Sequence, residues 1–297
     1  MKLVQAFAQL PNRFLMACGR GIGALLWHVG SLRRVALGKM NIAYPQLSVA
    51  ERTALARLHC IQAGQGLFEL FIALWGSHAR IARLSQQAQW EGLEHFAAAQ
   101  ATGRGIIVLT PHTTAIVIGA RLLTQRMALH AMYRPMDNPV LDHIFHSTAT
   151  RYLRGLIPHH SVKTMVAQLQ AGDAICYLPD QARSGKYSIQ APFFGAPALT
   201  LTSPGRLAQE TNAIVLPFFC IRVAPGVYRQ RFLPPLENYP SGDDLADATR
   251  INRLIEEQLA DEPSQYLWLH KRYKGTDAAA AYKRKETFAK RHERSSG

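Results

Sequence analysis

The sequence predicts an α/β protein: a twisted mixed sheet with helices on both faces, preceded by a helical segment with membrane character. Two observations predict the sheet. From residue 105 onward short apolar runs alternate with helix-like stretches, the grammar of strands joined by crossover helices. The first of these runs, GIIVL at 105–109, is bounded by Gly and Pro, as a buried strand should be. A third observation, the apolar but basic stretch at 11–38, predicts the membrane segment.

Taken in order, residues 14–29 are apolar but interrupted by Arg20 and His28. A spanning helix needs about 20 residues with few or no charges, and no small-residue cleavage site follows. An amphipathic helix in the membrane interface, with Trp27 as anchor and Arg33 and Arg34 on lipid phosphates, fits the composition. A glycine-rich helix packed on the main domain fits it equally. A turn at Tyr44–Pro45 then precedes a capping box from Ser48 to Glu51. Helices follow through about residue 84, with Phe68, Phe71, Leu74 and Trp75 on an apolar face. Strands are expected at 105–109, 128–133, 174–178, 213–220 and 228–232. Helices are expected at 113–125, 138–152, 161–171, 203–211 and 245–259. The expected organisation is a membrane-associated segment at 1–40, an α/β domain at 41–275 and a basic tail at 276–297.

Composition narrows the function. The chain has 297 residues, 48% of them hydrophobic, enough to bury a full core. Its formal net charge is +14, and its first acidic residue is Glu51. Such asymmetry suits an anionic membrane surface, a phosphorylated substrate or an acidic carrier protein. Nucleic acid is not expected, because no aromatic-interleaved basic motif or zinc module accompanies the charge. The 4 cysteines are scattered without metal-ligand spacing, and Cys176 and Cys220 fall in strand-like runs as core residues. A reducing compartment fits this usage. The histidines other than His112 and His270 carry no metal-ligand spacing and read as surface residues, so neither a metal nor a cofactor is expected.

Chemistry gathers at the ends of the predicted strands. Thr110-Pro-His112 ends the first, YRP at 133–135 follows the second, and PDQ at 179–181 follows the third. Ligands of open α/β sheets bind at that edge, so His112, Arg134 and Asp180 can converge. His112 stands where a general base belongs. No G-x-S-x-G nucleophile elbow occurs anywhere in the chain.

These patches, with NIAYPQLS at 41–48, APFFG at 191–195 and QYLWLHKR at 265–272, resemble the late lipid A biosynthesis acyltransferases, within the wider glycerolipid-acyltransferase-like superfamily. The resemblance covers most of the chain. It implies transfer of a fatty acyl chain from acyl carrier protein to a hydroxyl of a phosphorylated glucosamine lipid, at the cytoplasmic face of the inner membrane. On it, His112 and Asp180 are the expected catalytic residues, and Arg134, Gln181, Lys271 and Arg272 the expected substrate-binding ones. The family's signature is a histidine, four residues, then an acid; here Val117 stands at the acidic position. Arginines that the family places after YRP are replaced by the stretch 146–150, HSTAT, and Ala182 replaces a polar residue after PDQ.

Valine neither accepts a ring N–H nor carries charge, so His112 needs another carboxylate, and Asp180 is the local candidate. If none serves, the chain is a family member that binds lipid or carrier without turnover. Loss of the arginines also suits an acyltransferase with a different acceptor.

Overall fold

The computed structural model describes residues 2–181, 185–270 and 272–273. Helices α1 (Lys2–Phe7), α2 (Asn12–His28) and α3 (Gly30–Ala43) come first, then the long α4 (Val49–Trp75) and α5 (His78–Gln87). The Ser48–Glu51 capping box starts α4 as expected. Gly76 separates the two helices of the expected helical stretch, and Ser77 caps the second by accepting from the Arg80 N–H.

Strand β1 (Gln89–Glu91) and helix α6 (Leu93–Ala101) lead into β2 (Ile106–Leu109), α7 (Ile116–Leu123), β3 (His130–Tyr133), α8 (Pro139–Ala149), β4 (Gly155–Pro158), α9 (Val162–Gln170) and β5 (Ala174–Tyr177). A hairpin of β6 (Ser188–Phe193) and β7 (Ala196–Leu201) follows, then α10 (Ser203–Thr211), β8 (Ile214–Ala224), β9 (Val227–Phe232) and α11 (Asp244–Gln258).

Among the described residues the main sheet has seven strands in the order β1-β9-β8-β2-β5-β3-β4. It is parallel from β8 to β4, and β9 runs antiparallel to β8. The central strands are buried on both faces. Ile107, Leu109, Ile175 and Tyr177 point into one apolar cluster with Met165, Leu207 and Ile251 of α9, α10 and α11. Their neighbours Ile106, Val108, Ala174 and Cys176 point into the other, with Phe68, Ile81 and Ile118 of α4, α5 and α7. This period-2 division is what two covered faces demand, and it puts helices on both sides as expected. Cys176 and Cys220 are buried core residues.

The N-terminal segment packs on this body. Leu15, Met16, Gly19, Gly23 and Trp27 form the buried face of α2. A Cβ on Gly23 would lie 2.4 Å from the Ile61 Cα, and one on Gly64 2.3 Å from the Gly19 carbonyl oxygen. Only glycine lets α2 and α4 approach so closely. Trp27 is therefore not the expected membrane anchor: it is 7% exposed inside the core, with the Arg33 guanidinium 4.9 Å above its ring. The opposite face of α2 exposes Phe14, Ile22 and Leu25. No described helix is long and apolar enough to cross a membrane.

Candidate active site

The carboxyl edge of the sheet brings two of the expected residues into contact. Leu109 ends β2, and Pro111 leaves the strand without a ladder donor, so His112 stands just beyond the strand. Tyr177 ends β5 in the next strand, and Asp180 follows at the same level. The His112 ring Nδ1 lies 2.7 Å from Asp180 Oδ1, and the His112 backbone N–H donates to Oδ2 at 3.0 Å. One carboxylate thus holds both backbone and ring of the same histidine. Asp180 is fully buried, whereas the His112 side chain is 23% exposed. With Nδ1–H donating to Asp180, Nε2 carries the lone pair, the tautomer a general base needs.

Burial alone would raise the Asp180 carboxyl. The facing His112, followed by His270 and Arg272, outweighs burial and holds it well below the usual carboxylate range. Asp180 thus faces the ring as a carboxylate, placed to stabilise an imidazolium formed when the ring takes a proton.

The segment after α11 closes the site. Thr113 bridges to Tyr266, Leu267 N–H donates to the His112 carbonyl at 2.9 Å, and Thr114 N–H donates to the Gln265 carbonyl at 2.8 Å. These bonds explain why α7 starts at Ile116 and not at 113: the first residues of the expected helix are pairing with this segment. Gln265 in turn clamps the Arg222 backbone from both sides. The Arg222 guanidinium meets Glu69 at 2.5 Å, where Tyr228 also donates. A chain of buried polar contacts thus runs from α4 to the His112 loop.

His270 faces the pair from this segment. Its ring centroid is 5.9 Å from that of His112, its Nε2 is 2.9 Å from the Tyr266 hydroxyl and 3.9 Å from Asp180 Oδ2. Burial pushes His270 down to about 3, so it is neutral at ordinary pH. Burial, then the Asp180 charge, lifts the Tyr266 phenol far above its usual range, keeping it a hydroxyl. Sequence reasoning gave no role to Tyr266 or Gln265, although both lie inside the QYLWLHKR patch. Their bonds depend on a turn of irregular backbone that no periodicity reveals.

The remaining expected residues divide. Arg134 follows β3 at the same sheet edge, 56% exposed and 3.6 Å from Asp137. Gln181 is exposed next to Asp180. Lys271 lies outside the described residues, as does the tail. Arg272 is not a substrate-binding rim residue: it is 2% exposed and donates to the Leu199 carbonyl, Thr200 Oγ1 and Asn252 Oδ1. Its guanidinium lies 4.4 Å over the Phe193 ring. These bonds, made by the two terminal nitrogens while Nε is buried without a partner, pin the β6–β7 hairpin to α11. Val117 is half-buried against the apolar cluster beneath α7, the cluster that also buries Ala149 from the arginine-depleted stretch. Two histidine expectations also fail: His59 and His130 are buried rather than on the surface.

No group of three or more His, Cys, Asp or Glu among the described residues could hold a metal. What stands at this edge is an oriented histidine base with an ionised aspartate behind it, the arrangement of an enzyme that activates a hydroxyl. The family model for bacterial lipid A biosynthesis acyltransferases matches residues 1–275, and the chain belongs to that family; it is an acyltransferase. Lipid A biosynthesis lauroyltransferase of Escherichia coli is 29% identical over 90% of this chain and 87% of its own length. The palmitoleoyltransferase of the same organism is 28% identical over 90% and 87%. A lipid A biosynthesis acyltransferase of Haemophilus influenzae is 29% identical over 89% and 86%. Among solved structures, a 1-acyl-sn-glycerophosphate acyltransferase from Thermotoga maritima aligns over 84% of this chain and 97% of its own, with 13% identity and a TM-score of 0.38.

Proposed function

We propose that the protein transfers a fatty acyl chain from an acyl carrier protein thioester to a hydroxyl of a phosphorylated, lipid A-type glycolipid at the cytoplasmic face of the inner membrane. The observation that carries the reading is the His112–Asp180 pair. His112 Nε2 takes the proton of the acceptor hydroxyl as that oxygen attacks the thioester carbonyl. Asp180 keeps the ring in the correct tautomer and offsets its charge. Collapse of the tetrahedral intermediate expels the carrier thiolate, to which the imidazolium returns the proton. Asp180 does this without any acid at Val117.

The named activities of the relatives support the acceptor class. Arg134, at the same edge and largely exposed, suits an acceptor phosphate, and Gln181 and Lys271 are the further candidates for substrate contact. The exposed Phe14, Ile22 and Leu25 on α2, with Arg13 and Arg20 also exposed, support binding to an anionic membrane surface without crossing it. The same positive charge suits an acidic carrier.

The test is incubation of the purified protein with acyl carrier thioesters and lipid A precursor, with mass analysis of the products. The proposal expects a mass gain of one acyl chain on the precursor, lost in His112→Ala. A folded protein that binds precursor but transfers no acyl chain would make it a non-catalytic binder.

A further inference from the structure

Away from His112, a cleft of about 490 Å³ lies where α1, the α4–α5 turn, α7 and α8 meet. Gln5, Gln9, Ser77, Arg121, Arg151 and Tyr152 line it. Arg121 is about one and a half turns into α7, toward the end of the helix away from the active-site loop. The cleft is therefore separate from the acyl-transfer site.

Its charge balance is unusual. Arg121 is only 9% exposed, and its guanidinium stacks 4.2 Å over the Tyr152 ring. One of its nitrogens donates to Thr124 Oγ1 at 3.2 Å, while Nε is buried without a partner. Among the described residues, no carboxylate forms an ion pair with Arg121 or with the exposed Arg151, and none lines the cleft. A buried guanidinium without a counter-charge is costly, and this one borders a cleft roomy enough for the missing anion. The walls are otherwise neutral and already tied together: Ser77 donates to Gln9 Oε1 at 3.0 Å, joining α1 to the α4–α5 turn.

We propose that this cleft is a second ligand site, which binds a phosphate ester between Arg121 and Arg151. Guanidinium groups match phosphate geometry with paired N–H donors. At about 490 Å³ the cleft is far larger than a bare anion, so the phosphate is carried by a larger group. A phospholipid headgroup and a soluble phosphomonoester share this chemistry. In either case the ligand touches α1 and so ties the N-terminal helix to the body.

The experiment uses the full chain with two probes: sn-glycerol 3-phosphate, and vesicles of phosphatidylcholine with or without phosphatidylglycerol. Wild type should bind glycerol 3-phosphate in calorimetry, and Arg151→Gln should weaken binding about tenfold or more. Arg151 is exposed, so this variant keeps its fold; Arg121→Gln should act in the same direction. Arg104→Gln, exposed and outside the cleft, should bind as wild type does. If glycerol 3-phosphate competes the protein off phosphatidylglycerol vesicles, the ligand is a headgroup. If it binds without affecting vesicle association, the ligand is a soluble ester. No binding of glycerol 3-phosphate to wild type, or equal weakening by Arg104→Gln and Arg151→Gln, would overturn the proposal. Acyl transfer, which needs His112, is a separate readout, so failure here leaves the catalytic proposal standing.

Discussion

Among the described residues, two histidine–aspartate hydrogen bonds stand at opposite edges of one sheet. His112 and Asp180 meet at 2.7 Å beyond the carboxyl ends of β2 and β5. His130 and Asp173 meet at 3.1 Å where β3 and β5 begin. Chemically the pairs are alike; their surroundings are not. Asp173 also receives Arg154 at 2.8 Å, and the free ring nitrogen of His130, Nδ1, is buried without a partner. Gly155 packs close against it, since a Cβ there would approach that nitrogen to 2.9 Å. His112 has its backbone held by the same carboxylate and keeps a partly exposed ring. A histidine–carboxylate contact can serve as a base only where the second nitrogen is open to the group that gives up the proton.

The largest expected effect breaks the two pairs one at a time. Asp180→Asn leaves the shape but removes the charge and the certain Nδ1–H tautomer, and should lower turnover by about 10⁴, the loss seen for the equivalent change in a serine-protease triad. Asp173→Asn should leave turnover within a few-fold and act on stability instead. Initial rates and urea midpoints on both variants check this. Equal loss of turnover in the two would mean that the pairs are not functionally distinct.

Val117→Glu tests the same point from the other direction. With Nδ1–H already accepted by Asp180, an added carboxylate on α7 has no catalytic vacancy to fill. Val117 packs on an apolar cluster, and a charge there should cost about 1–3 kcal/mol of folding stability. Turnover at 20 °C should be unchanged or lower. A gain that His112→Ala abolishes would show that Asp180 does not supply the carboxylate.

Much of this architecture was legible in the sequence. The strands β2 and β5 were visible because four consecutive buried residues between breakers have no other reading at that length. The meeting of His112 and Asp180 was visible because both follow such strands. The β6–β7 hairpin was not. Pro192 argues against a strand, and its turn uses Phe194 at φ 46° beside Gly195 at φ 73°, where Asn-Gly or Asp-Gly is the usual signal. Strands β1 and β4, at the sheet's two edges, are only partly buried and so carry no continuous apolar run. Arg272 was misread because basic residues near a chain end are usually solvated. Only the folded chain shows the Leu199 carbonyl, Thr200 and Asn252 gathered around it. Helix α2 matches the packed-helix reading, with glycines setting one face against α4 and Trp27 buried, while Phe14, Ile22 and Leu25 on its other face are exposed.

A second contrast separates the buried neutral imidazoles from the partly exposed ring of His112. Burial pushes His59 down to about 4, against the Ser264 carbonyl that its ring contacts at 2.9 Å. A histidine depressed in the folded state takes up a proton on unfolding. It therefore contributes full stability above about pH 6.5, losing it progressively as pH falls toward 4. In that window stability should drop by up to about 1.4 kcal/mol per pH unit for each such histidine, with His270 extending the loss toward pH 3. Urea unfolding at pH 7, 6 and 5 should show the slope, shallower in His59→Gln by about one proton. An unchanged slope in that variant would mean that His59 does not contribute.

The smallest effect concerns strand β3, which carries His130 at one end and delivers Arg134 beyond the other. If the carboxyl edge alone meets substrate, the two ends should respond differently. Arg134 is 56% exposed and its contact with Asp137, at 3.6 Å, is a surface ion pair worth at most about 1 kcal/mol. Arg134→Ala should therefore leave the urea midpoint nearly unchanged. A charge-assisted contact to an acceptor phosphate is worth roughly 1.5–3 kcal/mol, so the same change should raise KM for the acceptor about tenfold or more, with kcat kept. Arg134→Lys should recover part of that loss, because a point charge survives but the paired N–H fork does not. An unaltered KM for both acceptor and carrier thioester would reduce Arg134 to its ion pair with Asp137 and leave the acceptor phosphate to other groups at this edge.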